Sequence, residues 1–329
     1  MNSFQRWALA TTIATFFLIL VGGLVRAADA GLGCPDWPKC FDRWYPPLTV
    51  DQVPDHIDPN LFDVRLAWIE YINRIVGVTV GFLILGTVYH ALRSYRQKPR
   101  VLYPSLLSLV LVLIQGWLGG EVVASELNPL HITAHLVLAW VIVNLLLYAT
   151  VEAFFLNSAP FVGMSSQRRI LGRLSLVLLV LVLIQAGLGA DLRGELEIIE
   201  RDYPQLVRSE WIHEAGWVDI VHRSFSWLII FAVAALNFYV YRRLQGNTRW
   251  LQWNARFIAA LVLIQIMAGI GLAYGGLPPV LQALHLLVGS LLISSVVLMY
   301  LLAGRVPEIE PNEAQKSASL IHFLKREIA

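Results

Sequence analysis

Eight stretches of this chain, at roughly 7–26, 68–92, 102–123, 130–156, 170–190, 216–241, 251–274 and 279–303, are apolar and long enough to cross a bilayer as helices. Such a crossing takes about 20 residues. Membrane strands are a poor alternative, because they are about 10 residues long and alternate in polarity, whereas these runs are continuous. Only 15% of the residues are charged and 57% are hydrophobic. A soluble domain carries about 25% charged residues, and disorder needs low hydrophobicity, so neither class fits. Small residues (Ala27, Ala28, Ala30) follow the first stretch, as they would a cleaved leader. Its apolar core exceeds the usual leader length of about 7–15 residues, so a retained helix is expected.

The net charge of +2 gives no support for nucleic-acid binding, but its distribution is informative. Alternate connections sort by sign. One side holds Arg6, Arg93, Arg96, Lys98, Arg100, Arg168, Arg169, Arg173, Arg242, Arg243, Arg249, Arg256 and the basic residues of the tail, with few acids. The other side, with loops at about 27–67 and 191–215, is acidic. Excess Lys and Arg marks the cytoplasmic face, which places both termini in the cytoplasm and these two loops outside. The only cysteines, Cys34 and Cys40, fall in the first outer loop. An oxidising compartment permits a disulfide there, and a redox role for so short and exposed a loop stays open. A zinc site is disfavoured, since only His56 lies near in sequence and four ligands are expected.

The string LVLIQ occurs at 111–115, 181–185 and 261–265, each time followed by a Gly-rich segment. The first stretch carries a weaker copy, with Val21 where the others have Gln. Gln115 and His135 are spaced as Gln265 and His285 are, and Asp219-Ile-Val-His222-Arg223 resembles Glu70-Tyr-Ile-Asn73-Arg74. Repeats at fixed spacing signal duplication. The expected fold is an all-α integral membrane protein of eight transmembrane helices in two parallel-repeated four-helix bundles. The first bundle is residues 1–158, including the outer loop 27–67. The second is 159–304, and 305–329 form a cytoplasmic tail. The glycines either let helices approach closely in lipid or make room for a flat cofactor.

Of eight histidines, His56, His90, His213 and His322 read as solvated surface groups. His131, His135, His222 and His285 fall within spans, where ionisable residues are costly and mark function. Neutral imidazole ligates iron, and facing helices of a bundle can hold haem. His222 and His285, at matched positions in the second half, are expected to ligate one haem iron from opposite faces. The first half offers His135 but has Asn73 in the matching place, so an open or weakly occupied axial position is expected there. His131, one turn from His135, is a reserve ligand or propionate contact. Glu70 is either an interfacial acid or a carboxylate that moves protons beside the first cofactor. Arg26, Arg74 and Arg223 are candidate propionate contacts, against ordinary snorkelling. Most of the tryptophans near outer helix ends read as an aromatic belt.

These residues together resemble the haem A synthase family over about 7–303. The most specific element is Ala30-Gly-Leu-Gly-Cys34-Pro-Asp-Trp-Pro-Lys-Cys40, similar to the family's first outer loop. Glu70-Tyr-Ile-Asn73-Arg74 stands where the family has Glu, then His, then Arg, and the family's other histidines match His135, His222 and His285. The resemblance implies oxidation of a methyl group of haem O to the formyl group of haem A for terminal oxidase assembly. It implies haem b in the second bundle relaying electrons, and substrate haem at Glu70, position 73 and His135. Cys34 and Cys40 would influence that site or its electron supply. Asn73 departs from the family pattern. Candidate partners are lipid, haem O and the enzyme that makes it, an electron donor and a second copy of the chain. A non-catalytic membrane b-type cytochrome is the alternative. A transporter is weaker, because the repeat is parallel and the sites cluster at the outer ends.

Overall fold

The computed structural model describes residues 1–156, 165–244 and 249–304. The expected tail 305–329 with His322, and the expected boundary at 158/159, lie outside the described residues. All regular structure among the described residues is helical: α1 (Ser3–Ala27), α2 (Val64–Ser94), α3 (Pro99–Ala124), α4 (Pro129–Phe154), α5 (Ser165–Asp202), α6 (Arg208–Glu214), α7 (Trp217–Arg242), α8 (Arg249–Tyr274) and α9 (Pro279–Ala303), with two single 3₁₀ turns at Val50–Gln52 and Pro59–Leu61. Eight of these, all but α6, are long and apolar enough to span a membrane. Lipid offers no partner for a free backbone group, so the helix, which satisfies its own N–H and C=O groups, is the form such sequences take.

Local chemistry fixes where the helices begin. Asn2 caps α1 by accepting from Gln5 N–H, and the Gln5 side chain returns the bond to Asn2 N–H. Asp63 accepts from the N–H groups of Arg65 and Leu66 at the start of α2. Proline opens α3, α4 and α9, where its missing N–H costs nothing.

The duplication is visible in the backbone. The α3–α4 turn has positive φ at Glu126 and Leu127, and the α8–α9 turn has it at Gly276 and Leu277. Leu127 N–H bonds Val122 O at 2.9 Å and Leu277 N–H bonds Leu272 O at 3.4 Å, the matching pair of the second half.

Neighbouring helices close two rings. In one, α1 touches α2 and α4, and α3 touches the same two; in the other, α5 and α8 each touch α7 and α9. The helices α2 and α4 are therefore diagonal in the first ring, and α7 and α9 in the second. Between the rings, α9 also packs on α1 and α4. It is the most buried of the spans. Trp140 on α4 donates its indole N–H to Ser290 on α9 at 2.9 Å. This tryptophan lies mid-helix in the seam, away from an interfacial belt.

One expectation is corrected. Residues 191–215 form no loop for most of their length, because α5 runs on to Asp202 and α6 follows. Leu192, Leu196 and Ile199 recur on one helical face and pack on Trp211, Ala215 and Leu277. The Arg193–Glu197 pair at 3.1 Å ties the same turns together.

Candidate functional site

Both rings carry their distinctive residues toward the end where the 28–63 loop lies. In the second ring, His222 of α7 and His285 of α9 come from diagonal helices that both border α5 and α8. The helices between them present glycine to each ring. A Cβ at Gly189 would stand 3.0 Å from His222 Cε1, and one at Gly269 would stand 3.7 Å from His285 Cε1. His285 Nδ1 is buried without a hydrogen-bond partner. Two imidazoles held against flat backbone on opposite corners fit a planar iron-bearing group between them.

In the first ring, His135 of α4 takes the place of His285. Its Nδ1 is likewise buried without a partner, and a Cβ at Gly119 would stand 3.4 Å from its Cε1. The diagonal helix α2 offers Asn73, whose Oδ1 is buried without a partner and faces Gly22. One imidazole, against Gly119 of α3, and one amide, against Gly22 of α1, thus stand on the two diagonal helices. The reserve ligand His131 sits one turn nearer the loop end, with Nδ1 2.8 Å from Ser125 Oγ.

Glu70 is almost fully buried at 4% exposure. Its Oε2 accepts the Cys34 N–H at 2.9 Å, and its Oε1 accepts from Arg74 Nη2 at 2.5 Å. Arg74 then gathers the loop, donating Nη1 to the carbonyl oxygens of Asp36 at 2.9 Å and Lys39 at 2.5 Å. Cys34 and Cys40 are joined in a disulfide and share a small core with Phe41, Val53 and Ala67. The Asp36 carboxylate closes the enclosed turn by accepting from Phe41 N–H at 2.5 Å and Asp42 N–H at 3.0 Å. Gly33 is required where the loop crosses α2, since a Cβ there would meet Leu66 O at 2.4 Å. The cysteine loop is thus fastened to the mouth of the first ring by Glu70 and Arg74.

The second ring repeats that ion pair without the loop. Asp219 is buried and bonds Arg223, whose side chain is 48% exposed. Arg26 pairs with Glu197 of α5 at 2.9 Å, so a candidate propionate contact bridges the two halves. Arg208 adds a second bridge to Asp29 at 2.7 Å. Each of the three arginines named as candidate propionate contacts thus has a carboxylate partner. Among the described residues no group of three or more His, Cys, Asp or Glu could hold a bare metal ion.

Sequence reasoning singled out the three LVLIQ glutamines only as markers of duplication. In the structure each donates its amide to the backbone carbonyl of a histidine: Gln115 to His135, Gln185 to His222 and Gln265 to His285. The 20-residue spacing shared by Gln115–His135 and Gln265–His285 was the only signal of this contact in the sequence, and the 37-residue spacing of Gln185 and His222 carried none.

Residues 5–297 match the COX15-CtaA family, described as cytochrome oxidase assembly protein. Among similar proteins is the haem A synthase of Rickettsia prowazekii, 24% identical over 92% of this chain and 98% of its own. That of Bacillus licheniformis is 23% identical over 82% of this chain and 85% of its own. That of Shewanella oneidensis is 32% identical over 56% of this chain and 55% of its own, so this match spans about half of each protein.

Proposed function

Because this chain belongs to the cytochrome oxidase assembly protein family, we propose that it is a haem A synthase: a membrane oxidoreductase that converts the methyl group of haem O to the formyl group of haem A. The observation that carries this reading is the asymmetry of two otherwise matched rings. One has two diagonal histidines, and the other has one histidine, an amide and a fastened disulfide loop.

His222 and His285 are the residues that would hold a resident haem b, and such a group supplies one-electron redox chemistry when bound. Two histidine ligands would suit a group that transfers electrons. In the first ring, His135 would bind substrate haem O, and Asn73 would leave the opposite side open to a reacting ligand. Glu70 is the carboxylate beside that ring. Converting a methyl to a formyl group replaces two C–H bonds by C=O, a four-electron oxidation that needs an oxygen atom from dioxygen or water and an acceptor for the electrons. For the protons that move, a positioned carboxylate accelerates transfer by about 10²–10⁴-fold. Arg74 holds Glu70 in place and keeps the loop over the mouth. The excess of Lys and Arg at the opposite end supports cytoplasmic termini and sites toward the outer face of the cell membrane. The two rings support a division into a first unit, 1–158, and a second, 159–304, whose boundary lies outside the described residues.

A second reading, a non-catalytic b-type cytochrome, draws on one observation: both oxygens of Glu70 are engaged by Arg74 and the Cys34 N–H. Pigment analysis after co-expression with a haem O source separates the two. Haem A should accumulate; haem O accumulating without haem A, with electron donors supplied, contradicts the synthase reading.

A further inference from the structure

The three LVLIQ glutamines make one contact in three places. Gln115 Nε2 donates to His135 O at 3.0 Å, Gln185 Nε2 to His222 O at 2.9 Å and Gln265 Nε2 to His285 O at 3.1 Å. Each accepting carbonyl lies inside a helix, where helix geometry already supplies an N–H from the following turn. The glutamine therefore adds a tie between helices where no backbone group needs one.

One turn beyond each glutamine stands a glycine, and that glycine meets the same histidine's ring. Cβ atoms built at Gly119, Gly189 and Gly269 would lie 3.4, 3.0 and 3.7 Å from Cε1 of His135, His222 and His285. The ring is turned the same way where the geometry is recorded. At Gly189, Nδ1 is nearer than Nε2, 3.6 against 3.9 Å, and at Gly119 it is Nδ1 that comes within 3.9 Å. Nδ1 of His135 and His285 is enclosed, and Nδ1 of His222 lies 3.4 Å from the Gln185 amide. The fourth copy lacks both parts, with Val21 in the glutamine position and Asn73 in place of the histidine.

We propose that Gln115, Gln185 and Gln265 are positioning residues for the haem-ligating histidines. Each pins the histidine's backbone to the neighbouring helix, so that the imidazole lies on the glycine with Nδ1 turned toward that helix and Nε2 left to take iron. The proposal rests on the reading that these histidines bind haem iron. Residues that orient a metal-ligating histidine are worth about 10–100-fold in affinity.

The test uses the full-length, haem-loaded protein in detergent. The variants are Gln185→Leu, Gln265→Leu and Gly189→Ala, which leaves the amide in place but presses on the His222 ring. The readouts are the low-spin electron paramagnetic resonance g values, which report imidazole orientation, the midpoint potential of the resident haem, and its rate of loss to an excess of a haem-binding acceptor protein. Shifted g values, a displaced potential and about tenfold or more faster haem loss are expected. Unchanged g values and potential in both glutamine variants, even with a lower melting temperature, would overturn the positioning role. If a leucine variant does not fold, Gln185→Met, which keeps the side chain's length and removes the donor, takes its place: a shifted signal supports the proposal and an unshifted one overturns it. His222→Ala and His285→Ala run beside them. A signal surviving in both overturns the haem reading and this proposal with it, whereas a signal lost there but unaltered in the glutamine variants overturns positioning only.

Discussion

The two rings share a helix order, a turn geometry and an acid–arginine pair one turn apart, yet they spend that pair differently. In the second ring Arg223 is half exposed and its bond to Asp219 stays within one helix. In the first ring Arg74 is 13% exposed, and beyond Glu70 it holds two carbonyl groups of the cysteine loop. The histidines diverge in the same direction. The second ring presents two from diagonal helices, and the first presents His135 opposite Asn73. Duplication supplied one scaffold. On the proposed reading, the half with two diagonal histidines would hold a cofactor, and the half with one histidine, an amide and a loop over its mouth would process a substrate.

The comparison can be broken most sharply at the ligands. His222→Ala or His285→Ala should abolish the low-spin haem b signal in spectra of the purified protein, whereas His131→Ala should leave it intact. The next largest effect is on stability. Arg74→Ala strands a buried carboxylate and should destabilise the first half by about 3–5 kcal/mol. Arg223→Ala also leaves a buried carboxylate, Asp219, but removes a partner that was half in solvent and held no loop, and should cost less, about 1–3 kcal/mol. Denaturation of the two variants side by side checks this, and equal losses would erase the contrast. Replacing both cysteines with serine removes a short cross-link and should cost on the order of 2–3 kcal/mol or less, with hydrogen exchange rising in the 28–63 loop and not around α7. The smallest effect belongs to the seam. Trp140→Phe, leaving Ser290 without its indole donor, should lower stability by about 1 kcal/mol. Asn73→His would sharpen the comparison from the other side by making the first site more fully six-coordinate in its absorption spectrum.

The spans were legible in the sequence because their signal is length of apolar run, which survives whatever the helices pack against. The histidines stood out for a related reason: in an apolar span an ionisable group is rare enough to count singly. The continuation of α5 to Asp202 was not legible. Leu192, Leu196 and Ile199 form a narrow stripe among charges, and its partners Trp211 and Leu277 are distant in sequence. Glu70 and Arg74 were visible as unusual residues, but their partners were not. Arg74 bonds backbone carbonyls whose positions depend on how the cysteine loop folds. Arg26 shows the same limit, because its partner Glu197 sits on the part of α5 that read as a loop. The central place of α9 was also hidden, since every span is apolar and composition does not reveal which one the others surround.

The division of labour between the rings meets its most direct test in Glu70→Ala and His285→Ala, each purified after co-expression with a haem O source and measured for haem b absorbance and haem A content. Glu70→Ala should keep the haem b signal and make no haem A, and His285→Ala should lose both. Loss of haem b in Glu70→Ala, or its survival in His285→Ala, would contradict the assignment of chemistry to the first ring and of the resident haem to the second.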